Sequence, residues 1–168
     1  TRVAVALIHA LRAQGLRVAA MKPVSAGSAP GELNEDVVAL MQASNVSSDV
    51  RDVNPYAFAE PIAPHVAAER AGVRIELDVV AAAYSRLAAQ ADVVVVEGAG
   101  GWRVPLNGHD DMGDLAQRLG LSVVLVVGLR LGCLNHALLT VESIMHRQMS
   151  WAGWIAKKMI WVQGLFDT

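Results

Sequence analysis

The sequence holds a single cysteine, Cys133, so no disulfide can form within the chain, and a reducing, cytoplasmic setting is the expectation. Long hydrophobic runs are missing as well. The most apolar stretches, Val93–Val96 and Val123–Val127, fall far short of the roughly 20 residues that a membrane-spanning helix needs, and they read as buried strands. No basic segment leading into an apolar core opens the chain as a secretory signal would. Basic clusters are absent and the formal net charge is −2, which argues against nucleic acid or an anionic membrane surface as a partner. His65, His109 and His136 lie too far apart to resemble a zinc motif. With aromatic residues at only 5%, Trp102, Trp151, Trp154 and Trp161 read as core or interface residues and not as a stacking platform. There is no internal repeat, low-complexity tract or linker.

What remains is a chain of 168 residues, 54% hydrophobic and 18% charged, sized for one globular domain with a substantial core. Apolar positions from Val3 to Leu11 predict a helix over residues 2–13, with Gly15 as its left-handed stop. Residues 17–22 predict a strand ended by Pro23, which leaves Lys22 at the strand's C-terminal end. Helices are expected over 34–43, with Asn34 as N-cap, and over 77–90. Residues 54–65 contain three prolines and read mostly as loop. From Asp92 onward strand and helix alternate: strand 92–97, helix 114–119, strand 122–128, helix 135–146, strand 151–156. Continuously apolar, β-branched strands of this kind suit a parallel sheet covered on both faces. The expected fold is therefore α/β, a three-layer, doubly wound, mainly parallel sheet.

Ligands of such sheets collect beyond the carboxyl ends of the strands, which directs attention to three places. In Glu97-Gly-Ala-Gly-Gly101 a carboxylate closes a buried strand and glycines let a ligand approach the backbone. Such an acid could hold Mg²⁺ or simply be solvated in a tight turn. Lys22, fixed by its strand and by Pro23, could neutralise a transferring phosphoryl group, or it too could be merely solvated. Gly128-Leu-Arg-Leu-Gly-Cys-Leu-Asn-His136 runs from a strand through a turn into a helix whose first N–H groups could receive an anion, with Asn135 as candidate N-cap. Asp36 lies in a first helical turn, where the helix dipole favours an acid without any function. Cys133 has no identifiable His or Asn partner that would make it a nucleophile.

Taken in order and spacing, Lys22-Pro-Val, Asn54-Pro-Tyr-Ala-Phe-Ala-Glu-Pro-Ile-Ala-Pro-His65, Val96-Glu-Gly-Ala-Gly-Gly-Trp102 and Leu131-Gly-Cys-Leu-Asn-His-Ala-Leu-Leu-Thr140 resemble the dethiobiotin synthetases. The resemblance covers roughly residues 1–156, and 157–168 form a tail that does not align. It implies a P-loop NTPase-like fold and a Mg²⁺-dependent homodimer that converts 7,8-diaminopelargonic acid, CO₂ and ATP to dethiobiotin, ADP and phosphate. By that resemblance Lys22 matches the catalytic lysine. Thr1, Asp36 and Glu97 match the groups that hold Mg²⁺ and contact ATP, with Gly98, Ala99 and Gly100 beside the nucleotide. Gly132, Cys133, Leu134 and Asn135 match the helix N-terminus that takes the substrate carboxylate from the neighbouring subunit.

The chain also departs from the family's pattern. The Gly-x-x-x-x-x-Gly-Lys-Thr phosphate loop is represented only by Thr1, so the first, P-loop strand is expected to be missing from the sheet. Ala26 stands where the family usually has a hydroxyl residue, with Ser25 one step earlier. Lys157-Lys158 replaces the asparagine that reads adenine. The expectation on these grounds is that residues 1–168 alone form no dethiobiotin. The alternative to a clipped enzyme is a degenerate paralogue that retains only dimerisation.

Overall fold

A computed structural model describes residues 1–29 and 31–158. The chain divides into two compact units, Thr1–Leu119 and Gly120–Thr168. All strand pairs among the described residues are parallel and interleaved with helices, as an α/β P-loop NTPase-like chain requires. No helix among the described residues is long and apolar enough to cross a membrane.

The first unit runs α1 (Arg2–Ala13), β1 (Val18–Met21), β2 (Val24–Ala26), α2 (Glu35–Ala43), α3 (Val50–Val53), β3 (Tyr56–Phe58), α4 (Pro64–Arg70), α5 (Leu77–Ala88), β4 (Val93–Val96) and α6 (Met112–Arg118). Its centre is the parallel pair β1–β4, with Val18 beside Val93 and Met21 beside Val96. Strand alternation sends Val18 and Ala20 into one apolar cluster with Ile8 of α1 and Leu40 and Ala43 of α2. Ala19 and Met21 enter a second cluster with Val80, Ala83 and Leu87 of α5 and Leu115 of α6. Helices thus cover both faces of the pair, which is the three-layer arrangement expected of uninterrupted valine strands.

Local signals account for most boundaries. Gly15 adopts φ +83° just after α1 and donates to the Arg12 carbonyl, ending that helix as expected. Asn34 caps α2 by accepting from the Asp36 N–H. Asp111 and Asp114 form a reciprocal capping box at the start of α6, two residues earlier than the sequence suggests. The proline-rich 54–65 segment is more ordered than expected: β3 pairs in parallel with β2, and Pro64 opens α4 at the position where its missing N–H costs nothing.

The second unit is a β–α–β element: β5 (Ser122–Leu129), α7 (Cys133–His146) and β6 (Ser150–Lys158), with β5 and β6 parallel. A register shift between Val123 and Val124 is absorbed opposite Gly153, whose φ of +125° only glycine adopts readily. Helix α7 begins at Cys133 and its N-cap is Gly132 in the left-handed conformation, not Asn135. Glycine supplies the turn geometry itself, so no side-chain cap is needed and Asn135 sits one turn inside. Lys157 and Lys158 belong to β6, while Met159 to Thr168, including Trp161, lie outside the described residues.

Candidate active site

The parallel register of β1 and β4 delivers Lys22 and Glu97 to the same place, as the residues that immediately follow the paired Met21 and Val96. The Glu97 N–H donates to the Met21 carbonyl at 2.8 Å, which carries the ladder one step past the strands. Lys22 is buried, and its Nζ lies 2.6 Å from Glu97 Oε1 and 3.0 Å from Asp36 Oδ2. Asp36 reaches it from the first turn of α2. The Thr1 hydroxyl lies 2.9 Å from Glu97 Oε1 and also contacts Asp36 Oδ1.

Burial alone would raise the Asp36 carboxyl. Hydrogen bonds from Thr1 and Lys22, together with the charge of Lys22, outweigh that and hold it below the usual carboxylate range. A hydroxyl carries one proton, so Thr1 cannot donate to both acids at once. Glu97 Oε2 is buried without a hydrogen-bond partner. An unsatisfied buried carboxylate oxygen beside a hydroxyl and a second carboxylate is a set of hard oxygen donors that fits Mg²⁺, which takes one or two carboxylates and completes its shell with phosphate and water. No group of three or more His, Cys, Asp or Glu side chains able to hold a metal occurs among the described residues, so a soft or all-protein metal cage is not what this site resembles.

The loop after Glu97 is shaped by its glycines. Gly100 has φ +73°, and a Cβ there would stand 2.8 Å from Val104 Cγ2. A Cβ on Gly98 would meet Met112 Cε at 3.1 Å. Ala99 packs against the core. The result is a tight, side-chain-poor rim beside Glu97.

The expected site residues therefore fall into two groups. Thr1, Lys22, Asp36 and Glu97 converge, with Gly98, Ala99 and Gly100 following directly in the chain. Gly132, Cys133, Leu134 and Asn135 belong to the second unit, where they form the N-cap and first turn of α7. The Cys133 N–H is bonded to the Arg130 carbonyl at 3.0 Å, and first-turn N–H groups beyond it have no carbonyl within the helix to meet.

Sequence reasoning missed one residue here. Asn54 is buried; its Nδ2 donates to the Lys22 carbonyl at 2.6 Å and to the Tyr56 carbonyl at 3.1 Å, and its Oδ1 accepts from Ser25 Oγ at 2.8 Å. The signal was its place at the head of the Asn54–His65 motif, whose fold was read mostly as loop. Ser25 is buried and committed to Asn54, so it does not offer the hydroxyl that Ala26 lacks.

A family model described as an AAA domain matches residues 1–160. Among curated proteins, the chain is similar to the ATP-dependent dethiobiotin synthetase BioD of Nitrosospira multiformis, with 52% identity over 159 residues, covering 95% of this chain and 70% of that protein. It is 52% identical over 162 residues to the enzyme of the same name from Aromatoleum aromaticum, covering 95% of this chain and 72% of that protein. The Pseudomonas aeruginosa (strain UCBPP-PA14) enzyme of that name is 49% identical over 160 residues, covering 93% of this chain and 70% of its own length.

Proposed function

The chain belongs to the ATP-dependent dethiobiotin synthetase family of biotin-biosynthesis ligases, and from that premise we propose that it closes the ureido ring of dethiobiotin from 7,8-diaminopelargonic acid, CO₂ and ATP. The observation that carries this reading is the buried Lys22 ammonium at the C-terminal ends of two parallel strands, flanked by Asp36 and Glu97.

In the proposed reaction one substrate amine attacks CO₂ and loses a proton, giving a carbamate. A carbamate oxygen then attacks the γ-phosphorus of ATP; that bond forms as the bond to ADP breaks, leaving a carbamic-phosphoric anhydride. The second amine attacks the carbonyl carbon, phosphate departs with the bonding pair, and loss of a proton completes the ring. ATP and the carbamate are both anionic, so the protein's task is to concentrate positive charge and to hold the reacting atoms in line. Lys22 is the group assigned to the carbamate and to the transferring phosphoryl oxygens. Its short ion pairs to Asp36 and Glu97 hold its ammonium at the strand ends.

Thr1, Asp36 and Glu97 are the residues assigned to Mg²⁺, on the strength of their oxygen donors and of the buried Glu97 Oε2, which accepts no hydrogen bond. Bound there, the ion would neutralise charge on the ATP phosphates. Gly98, Ala99 and Gly100 are assigned to the nucleotide's flank, where bulk would obstruct it. Gly132, Cys133, Leu134 and Asn135 are assigned to the substrate carboxylate, which suits the free N–H groups and positive dipole end of α7. Residues 1–156 are proposed as the catalytic domain, acting as a homodimer in the cytoplasm; the exposed Leu134, Leu138 and Met145 on α7 support the dimer.

The test uses the full gene product with 7,8-diaminopelargonic acid, bicarbonate and MgATP. Dethiobiotin and phosphate should appear in equal amounts, and both should fall by about 10²- to 10³-fold in a Lys22→Ala variant. Turnover near the parental level in that variant would overturn the assignment of Lys22.

A further inference from the structure

We propose that Asn54 is a positioning residue for Lys22, acting through the lysine's main chain. The inference rests on the reading of Lys22 as the catalytic lysine, and it adds what fixes that side chain in space.

Lys22 and Pro23 fill the gap between β1 and β2. Pro23 has no N–H, so the backbone cannot continue a regular ladder through this point. The lysine's own N–H is held by the Val53 carbonyl at 2.8 Å, and its carbonyl is held by Asn54 Nδ2 at 2.6 Å. Both polar groups of the Lys22 main chain are thus taken by consecutive residues of one neighbouring segment. Beyond the gap the pairing resumes, with the Tyr56 N–H on the Pro23 carbonyl at 3.2 Å.

Asn54 stitches this junction from both sides. Its amide holds the Tyr56 carbonyl at 3.1 Å while its oxygen accepts from Ser25 at 2.8 Å. It therefore links Lys22, the middle of β2 and the start of β3 through three bonds. Pro55 follows it and restricts its backbone to extended geometry, so the side chain is presented from a stiff mount. A side chain such as lysine, with its ammonium some way from the Cα, converts a small backbone shift into a displaced charge. Displacements of about 1 Å at a reacting group cost on the order of 100-fold in rate.

The experiment compares Asn54→Ala with the parent and with Lys22→Ala, in the full gene product, by steady-state turnover per folded molecule, with the folded fraction measured by circular dichroism. Asn54→Ala should lower kcat about 10- to 100-fold while KM for ATP stays within about threefold, because the loss is in transition-state stabilisation and not in ground-state binding. Should Asn54→Ala fail to fold, Asn54→Ser carries the test, since it keeps a neutral polar side chain that is too short to span the contacts to Lys22, Ser25 and Tyr56 together. A folded variant with parental kcat overturns the proposal while leaving the catalytic role of Lys22 intact. So does a loss of activity that merely tracks the unfolded fraction. Undiminished turnover in Lys22→Ala overturns the underlying reading instead, whatever Asn54→Ala does.

Discussion

Lys22 Nζ and Glu97 Oε1 are 2.6 Å apart although the residues are separated by most of the first unit, because the parallel β1–β4 register makes them consecutive neighbours of the paired Met21 and Val96. Glu97 is mostly buried, so removing the ammonium strands a carboxylate. Lys22→Ala should therefore lower turnover by about 10²- to 10³-fold, the scale for deleting one preorganised charge stabiliser. Lys22→Arg should not restore it, since a planar guanidinium cannot occupy a point-charge site between Asp36 and Glu97. Steady-state formation of dethiobiotin checks both; activity in Lys22→Arg near the parental level would show that charge alone suffices.

Gly100 offers a test of the rim beside Glu97. A residue with a side chain there meets two separate obstacles, the left-handed φ of +73° and Val104 Cγ2 at 2.8 Å. Gly100→Ala should cost about 1–2 kcal/mol from the backbone alone. The overlap with Val104 should add roughly 1–3 kcal/mol more. Adding Val104→Ala should recover only the steric share. Urea denaturation of the single and double variants separates the two contributions, and a Gly100→Ala midpoint equal to the parent's would refute both.

Where the sequence was readable, a single local signal determined the outcome. The unbroken valines of β4 announced a strand packed against helices on both faces, Gly15 and Asn34 marked the ends of α1 and α2, and the strand-end positions of Lys22 and Glu97 pointed to the place where they meet Thr1 and Asp36. Strands of three residues, such as β2 and β3, are too short to show a period, and the prolines around β3 pointed toward loop. The start of α7 was misplaced because a polar side chain at Asn135 advertises a cap more loudly than a glycine does. Asn54 escaped notice for a different reason: Asn-Pro is a local turn signal, whereas its partners Lys22 and Ser25 lie about thirty residues earlier and meet it only once β2 and β3 pair.

The anchor of Lys22 has its own pH dependence. Asp49 caps the short helix α3, whose last residue, Val53, holds the Lys22 N–H. Hydrogen bonds from the Arg51 side chain and then from the Arg51 backbone N–H lower the Asp49 carboxyl from its ordinary 3.8 to about 2. A carboxyl depressed in the folded state stabilises it fully above pH 3.8, and that contribution fades as pH falls through about 2. Because the pair is solvent-exposed, salt should weaken it. Carboxyl NMR titration should find an Asp49 midpoint near 2 that rises in Arg51→Gln and again in high salt; an unshifted midpoint would remove the pair from the account.

Helix α7 carries the remaining prediction. Leu134, Leu138 and Met145 recur at spacings of four and seven along one stripe and are 76%, 64% and 58% exposed. A helix stripe of this width normally faces a core or a partner. In the proposed homodimer it is covered by the second copy, and the substrate carboxylate is received at the Gly132–Asn135 turn across that interface. Leu138→Glu places a charge at the middle of the stripe, where burial would be costly. The variant should sediment as a monomer where the parent sediments as a dimer. Because the carboxylate site lies at the end of the same helix, KM for 7,8-diaminopelargonic acid should rise about tenfold or more, as loss of one charge-assisted contact allows, while KM for ATP moves little. A Leu138→Glu protein that still sediments as a dimer would exclude this face as the interface. Monomers with unchanged KM for both substrates would separate dimerisation from carboxylate recognition and leave α7 without the role assigned to its N-terminus.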